Sequence, residues 1–190
     1  MGIRALRLAF AVSVLPAAAV WAAGSAPAQG EDALYDLVDA ATQRLQTADA
    51  VAASKWINGG PITDPIRAQQ VLTAVAADAQ STGVPTDYVT ALFTDQINAT
   101  EAVQYSRFSG WKLDPAAAPE TAPDLSASRA QIDELNRRMI GEIAEQWPAL
   151  QSAECVALLD GSKAAVAAAR GLDPLYRQAL DAATRSYCNP

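Results

Sequence analysis

A small set of polar side chains at helical spacing, together with a few isolated cations, could do chemistry in this chain. From Ala99 to Lys112 it reads A-T-E-A-V-Q-Y-S-R-F-S-G-W-K. Thr100 and Gln104 stand at i and i+4, so on a helix they lie one above the other on one face. Both are uncharged hydrogen-bonding groups, and Ile97, Val103, Phe108 and Trp111 surround them in sequence. A polar pair within a buried face requires a partner, either a neighbouring helix or a ligand. Far away in sequence are Arg44, Lys55, Arg67 and Arg129. These types suit an anion, because Arg offers a planar fork to a carboxylate and Lys a mobile point charge. Arg44 and Lys55 are about three turns apart, so one continuous helix would hold them on a shared face about 16 Å apart. Arg129 falls near the start of a helix, where a cation gains nothing from the helix dipole and a bound anion would. Asp64, just ahead of Arg67, is either a helix cap or part of the same site. Glu101 points about 100° away from Thr100 and need not share its surroundings. The plain alternative for each cation is a solvated surface charge.

Composition narrows the chemistry. The chain has 190 residues and no histidine. That rules out a Ser-His-Asp or Cys-His apparatus and a histidine-based zinc site. It contains no glycine-rich phosphate loop. A catalyst built from it works through cations, amides, carboxylates and hydroxyls, which favours electrostatic stabilisation over covalent or proton-relay chemistry. No cofactor or metal is expected.

The elements that must position these groups are helices. Alanine is abundant, Gly and Pro fall at boundaries, and no segment alternates with period two, so the class is all-α. We expect a single-domain helical bundle of about six helices. The first starts at Glu31 and either ends near Ala48, before Asp49, or continues to Trp56, with a stripe of Leu34, Leu37, Val38, Ala41 and Leu45. Asp64-Pro65 opens the second, which ends at Gly83. The third is the longest, running from Pro85-Thr86-Asp87 through Thr100 and Gln104 to the proline-rich stretch 114–123. Asp124 or Ser126 caps the fourth, which reaches about Gln146 and carries Arg129. Ser152 to Arg170 and Asp173-Pro174 to about Tyr187 form a final hairpin whose basic residues, Lys163, Arg170, Arg177 and Arg185, have surface spacing.

The chain begins with the form of a secretory signal peptide. Arg4 and Arg7 precede an apolar run from Leu8 to Ala23, and Ala26-Pro27-Ala28 is a small-x-small cleavage site. The expected division is a signal peptide over 1–28 and one helical domain over 29–190. The run is short for a membrane anchor and is interrupted by Pro16. Removing Arg4 and Arg7 takes the net charge from −7 to −9. Neither nucleic acid nor an anionic membrane is an expected partner of such a chain, and an anionic ligand needs a local cation cluster. In an exported protein, periplasmic or secreted, Cys155 and Cys188 read as a disulfide. Closing that loop is worth about 3–4 kcal/mol in the chain-entropy model.

The runs L-V-D-A-A-x-x-R-L, A-A-S-K-W, D-Q-I-x-A-T-E-A-V-Q-Y-S-R-F-S-x-W-K-L, P-D-L-S-A-S-R and S-Y-C resemble those of the exported, all-helical chorismate mutases, the secreted gamma subclass. The resemblance covers essentially all of the chain after the signal segment. It implies conversion of chorismate to prephenate by a non-covalent rearrangement. It also implies that Arg44, Lys55, Arg67, Thr100, Gln104 and Arg129 bind the substrate, with Asp64 at an acidic position near it. Arg44, Lys55, Gln104 and Arg129 would be the catalytic set, and a homodimer is expected on the same ground. Some relatives carry Glu where this chain has Gln104. The competing expectation is a non-catalytic exported helical module that binds a ligand or a protein partner.

Overall fold

The computed structural model describes residues 1–2 and 33–189, so the expected signal segment lies almost wholly outside the described residues. Those residues form seven α-helices: α1 Tyr35–Asn58, α2 Pro65–Thr82, α3 Thr86–Leu113, α4 Leu125–Glu145, α5 Trp147–Leu150, α6 Cys155–Ala169 and α7 Pro174–Ala183. A short 3-10 turn, Pro115–Ala117, follows α3. No helix among the described residues is long and apolar enough to cross a membrane.

Local chemistry explains the helix ends. Asp64 accepts a hydrogen bond from the Arg67 backbone N–H at 3.0 Å, and Pro65 occupies the first helical position of α2. Asp124, rather than Ser126, caps α4 and accepts from the Ser126 N–H at 2.8 Å. Asp173 and Pro174 repeat the device at α7, with the Tyr176 N–H donating at 2.8 Å. Gly83 ends α2 at φ 76°, a left-handed conformation that a side chain disfavours.

The third helix is the longest, as expected, but the centre of the fold is α1. It does not break at Asp49 and runs on to Asn58. It lies against α3, α4, α6 and α7, while α2 and α7 also pack on α3. Leu37, Val38, Ala40, Ala41, Leu45, Ala48 and Ala52 are all fully buried, on more than one side of the helix. Small alanines let several helices approach α1 closely, so burial surrounds it instead of following one stripe.

The C-terminal hairpin closes the opposite flank. Cys155 and Cys188 form the expected disulfide, with Cα atoms 5.6 Å apart. The last helix stops at Ala183, and turns carry the chain on to Cys188. Tyr187 is fully buried there, and the Tyr88 hydroxyl donates to its carbonyl at 2.7 Å. Arg170 does not sit as a free surface charge. Its guanidinium forks onto Asp39 of α1, with Nη2 donating at 2.8 Å, and Asp39 is only 8% exposed. Lys163 likewise bridges Asp160 and Asp181.

Candidate active site

A cleft partly open to solvent lies between α1, α2, α3 and α4. Arg44, Val51 and Lys55 line it from α1, and Arg67, Ala68 and Val71 from α2. Ile97, Thr100, Glu101 and Gln104 contribute from α3, Ile132 from α4, and Ile62 and Asp64 from the connection ahead of α2. The continuity of α1 brings Arg44 and Lys55 to one wall, and the i, i+4 spacing of Thr100 and Gln104 brings them to the facing one. Arg129 is the exception. It is exposed on α4 and is not part of the wall, although its charge is near enough to Lys55 to oppose protonation there.

Arg44 is the most unusual of these groups. It is 4% exposed, yet among the described residues no carboxylate pairs with it. Its Nε donates to Oδ1 of Asn136 at 2.7 Å, and Nη1 reaches Thr100 Oγ1 at 3.4 Å. The guanidinium carbon also lies 5.7 Å from the centre of the Phe93 ring, in cation–π range. Burial pushes Arg44 down to about 10, which leaves it charged at neutral pH. A buried cation without a counter-charge is costly, and an incoming anion relieves that cost.

Lys55 donates from Nζ to the Ile62 carbonyl at 2.8 Å. Burial lowers its pKa, while Glu101 and Asp64 act in the other direction. Arg67 pairs with Asp133 at 3.1 Å, with both side chains partly exposed. The Thr100 hydroxyl donates to the Gln96 carbonyl at 2.7 Å, which orients its oxygen toward Arg44. Gln104 is 3% exposed, and its Nε2 donates to the Thr100 carbonyl at 3.3 Å. An amide nitrogen carries two N–H bonds, so one remains for a ligand. Among the described residues the buried Gln104 Oε1 has no partner. The cleft therefore combines three cations, an amide and a hydroxyl with two carboxylates, Asp64 and Glu101, on otherwise apolar walls. It suits a small, multiply charged anion.

Sequence similarity decides which. Over 173 residues the chain is 56% identical to a secreted chorismate mutase of Mycolicibacterium smegmatis, covering 90% of this chain and 96% of that one. The chain belongs to the chorismate mutase family. A secreted chorismate mutase of Mycobacterium tuberculosis is 52% identical over 163 residues, covering 86% of this chain and 82% of its own. The family described as chorismate mutase type II matches residues 35–105. That span runs from the start of α1 through Gln104 and leaves out α4, with Arg129. Among solved structures, a chorismate mutase from Burkholderia phymatum superposes with a TM-score of 0.81 at 33% identity, covering 85% of this chain and 99% of that one. The secreted chorismate mutase of Yersinia pestis gives 0.66 at 27% identity, covering 80% and 94%.

Sequence reasoning missed three groups in and around this cleft. Glu101 does line the cleft, where its carboxylate accepts from the Thr63 hydroxyl at 3.0 Å. A turn of about 100° moves a residue to the next face of a helix, but this cleft spans both faces. Asn136 and Asp133 hold two of the cations from α4. Their signal was present as polar residues flanking Leu135, on the helix that carries Arg129. Phe108 and Trp111 belong elsewhere. They gather with Trp56 at the far ends of α1 and α3, with ring centroids 5.1 and 5.5 Å from Trp56.

Proposed function

We propose that this exported chorismate mutase rearranges chorismate to prephenate in the α1–α4 cleft through electrostatic stabilisation and confinement alone. The observation that carries this reading is the buried, carboxylate-free guanidinium of Arg44 on the same cleft wall as Lys55. Chorismate has two carboxylates and an enol-pyruvyl ether. Arg44 takes one carboxylate in a bidentate fork, and Arg129 closes on the other from α4. Arg67 and Thr100 orient the ring carboxylate and the hydroxyl region, with Asp64 at the edge. As the ether C–O bond stretches, its oxygen gains negative charge. Lys55 and the free N–H of Gln104 stabilise that oxygen more in the transition state than in the ground state. The walls hold the flexible ether in its compact, reactive shape.

All six substrate-contacting residues of this reading lie on one chain, which in principle lets each subunit hold a complete site. A homodimer is the assembly we propose. Ile57, Tyr105 and Leu113 are exposed beside the Trp56–Phe108–Trp111 cluster and supply apolar surface for it. Residues 29–190 form the mature protein in this reading, after removal of the signal segment.

The test is incubation of the oxidised mature protein with chorismate, following loss of the diene absorbance and appearance of prephenate. Lys55→Ala and Arg129→Ala are run alongside. Rapid conversion that falls by about 10²–10³-fold in Lys55→Ala is expected for a lost oxyanion donor. No conversion by a folded wild type leaves a non-catalytic module in its place.

A further inference from the structure

We propose that Asn136 is the positioning residue of Arg44, and that its being an amide and not a carboxylate keeps the charge of Arg44 available to the substrate. This rests on the reading that Arg44 contacts a substrate carboxylate. The two residues lie 92 positions apart in sequence and meet through one buried hydrogen bond, Nε to Oδ1, at 2.7 Å. Asn136 is 5% exposed and Arg44 4%. A guanidinium has five N–H bonds in a rigid planar fork, so fixing Nε and resting one face on Phe93 fixes where both Nη groups point.

The same helix supplies an internal contrast. One turn earlier, α4 presents Asp133 to Arg67, which is half-exposed and paired at 3.1 Å. Arg170, which lies outside the cleft, is forked onto Asp39. Of these three arginines, only the buried one in the cleft is held by neutral side-chain acceptors alone. A carboxylate at position 136 would make an equally good hydrogen bond. It would also sit against Arg44 where the local dielectric is low and screening weak, so an incoming carboxylate would meet an ion pair instead of a cation. Asn136 orients without neutralising.

Two substitutions separate geometry from charge. Asn136→Ala removes the acceptor and leaves Nε buried and unpaired. A hydrogen bond to a charged group is worth enough that kcat/KM is expected to fall by about 10- to 100-fold. Asn136→Asp keeps the shape and the acceptor but adds the opposing charge, and is expected to raise KM by about tenfold or more while kcat changes less. Both are measured at neutral pH on oxidised protein whose helical content and melting temperature are recorded. Adding Asn136→Ala to Arg44→Ala is expected to cost nothing further, because Asn136 acts through Arg44. Additive losses in the double variant, or a folded Asn136→Asp with wild-type KM, overturn the assignment. Should Asn136→Ala fold poorly, the KM of Asn136→Asp still decides. A wild-type kcat/KM in Arg44→Ala would instead sink the reading of the cleft, and this proposal with it.

Discussion

Two junctions of α1 treat an arginine in opposite ways. On the hairpin flank, Arg170 of the α6–α7 connection forks onto Asp39, and the charges cancel. In the cleft, Arg44 is held by Asn136 and Thr100, both neutral, and its charge stands. Both arrangements satisfy hydrogen-bonding groups. Only the first satisfies charge, and it belongs to the side fastened by the Cys155–Cys188 disulfide. The comparison separates a junction built for stability from one that keeps electrostatic work for a ligand.

The largest expected break in this contrast comes from the cleft. Arg44→Ala should lower kcat/KM by about 10²–10³-fold, since truncating a desolvated charge contact costs several kcal/mol in binding and transition-state stabilisation. Its thermal stability should hold or rise, because an uncompensated buried cation is removed. Calorimetry beside steady-state assays checks both halves. On the hairpin side, reducing Cys155–Cys188 should lower stability by about 3–4 kcal/mol, read from denaturant unfolding with and without reductant. Arg170→Ala should follow with a loss of about 1–3 kcal/mol. That is below the cost of breaking a fully buried pair, because the Arg170 side chain is 29% exposed. Its kcat/KM should stay at the wild-type level.

The same ion pair has a pH signature. Arg170, by hydrogen bond and then by charge, holds the Asp39 carboxyl below its usual range. A depressed carboxylate pKa contributes stability that is present above the unfolded value, about 3.9, and is lost as pH falls from there through the folded value. Acid unfolding curves should therefore show a loss below about pH 4 that is weaker in Arg170→Ala. In the cleft the corresponding sharpening is the absence of an acid limb. The Gln104 amide donates at any pH, so turnover should stay flat from about pH 5 to 8. Gln104→Glu should make it fall as pH rises, because only a protonated carboxyl can donate. On the alkaline side, burial lowers the Lys55 pKa, so activity should decline earlier than an ordinary lysine would impose.

Local signals carried far in this sequence. Asp64-Pro65, Gly83, Asp124 and Asp173-Pro174 marked helix ends because capping is chemistry within a few residues. Helical periodicity similarly placed Arg44 with Lys55, and Thr100 with Gln104. What escaped notice depends on tertiary approach. The role of α1 was hidden because alanine-rich burial on several sides leaves no single stripe to read. Asn136 could not be matched to Arg44, because nothing local links α4 to α1. The angle between Glu101 and Thr100 does not separate them, because the cleft is wide enough to span both faces. Arg170 and Lys163 looked like surface charges by spacing and proved to be tied down by Asp39, Asp160 and Asp181.

The central claim is that the uncompensated charge of Arg44 does the work of the cleft while the paired charge of Arg170 does not. Chorismate consumption by wild type, Arg44→Ala and Arg170→Ala, each oxidised and checked for folding, tests it directly. The account predicts rapid conversion by wild type and Arg170→Ala, with Arg44→Ala down by about 10²–10³-fold. Equal rates in wild type and Arg44→Ala, or no conversion by any of the three, would contradict it.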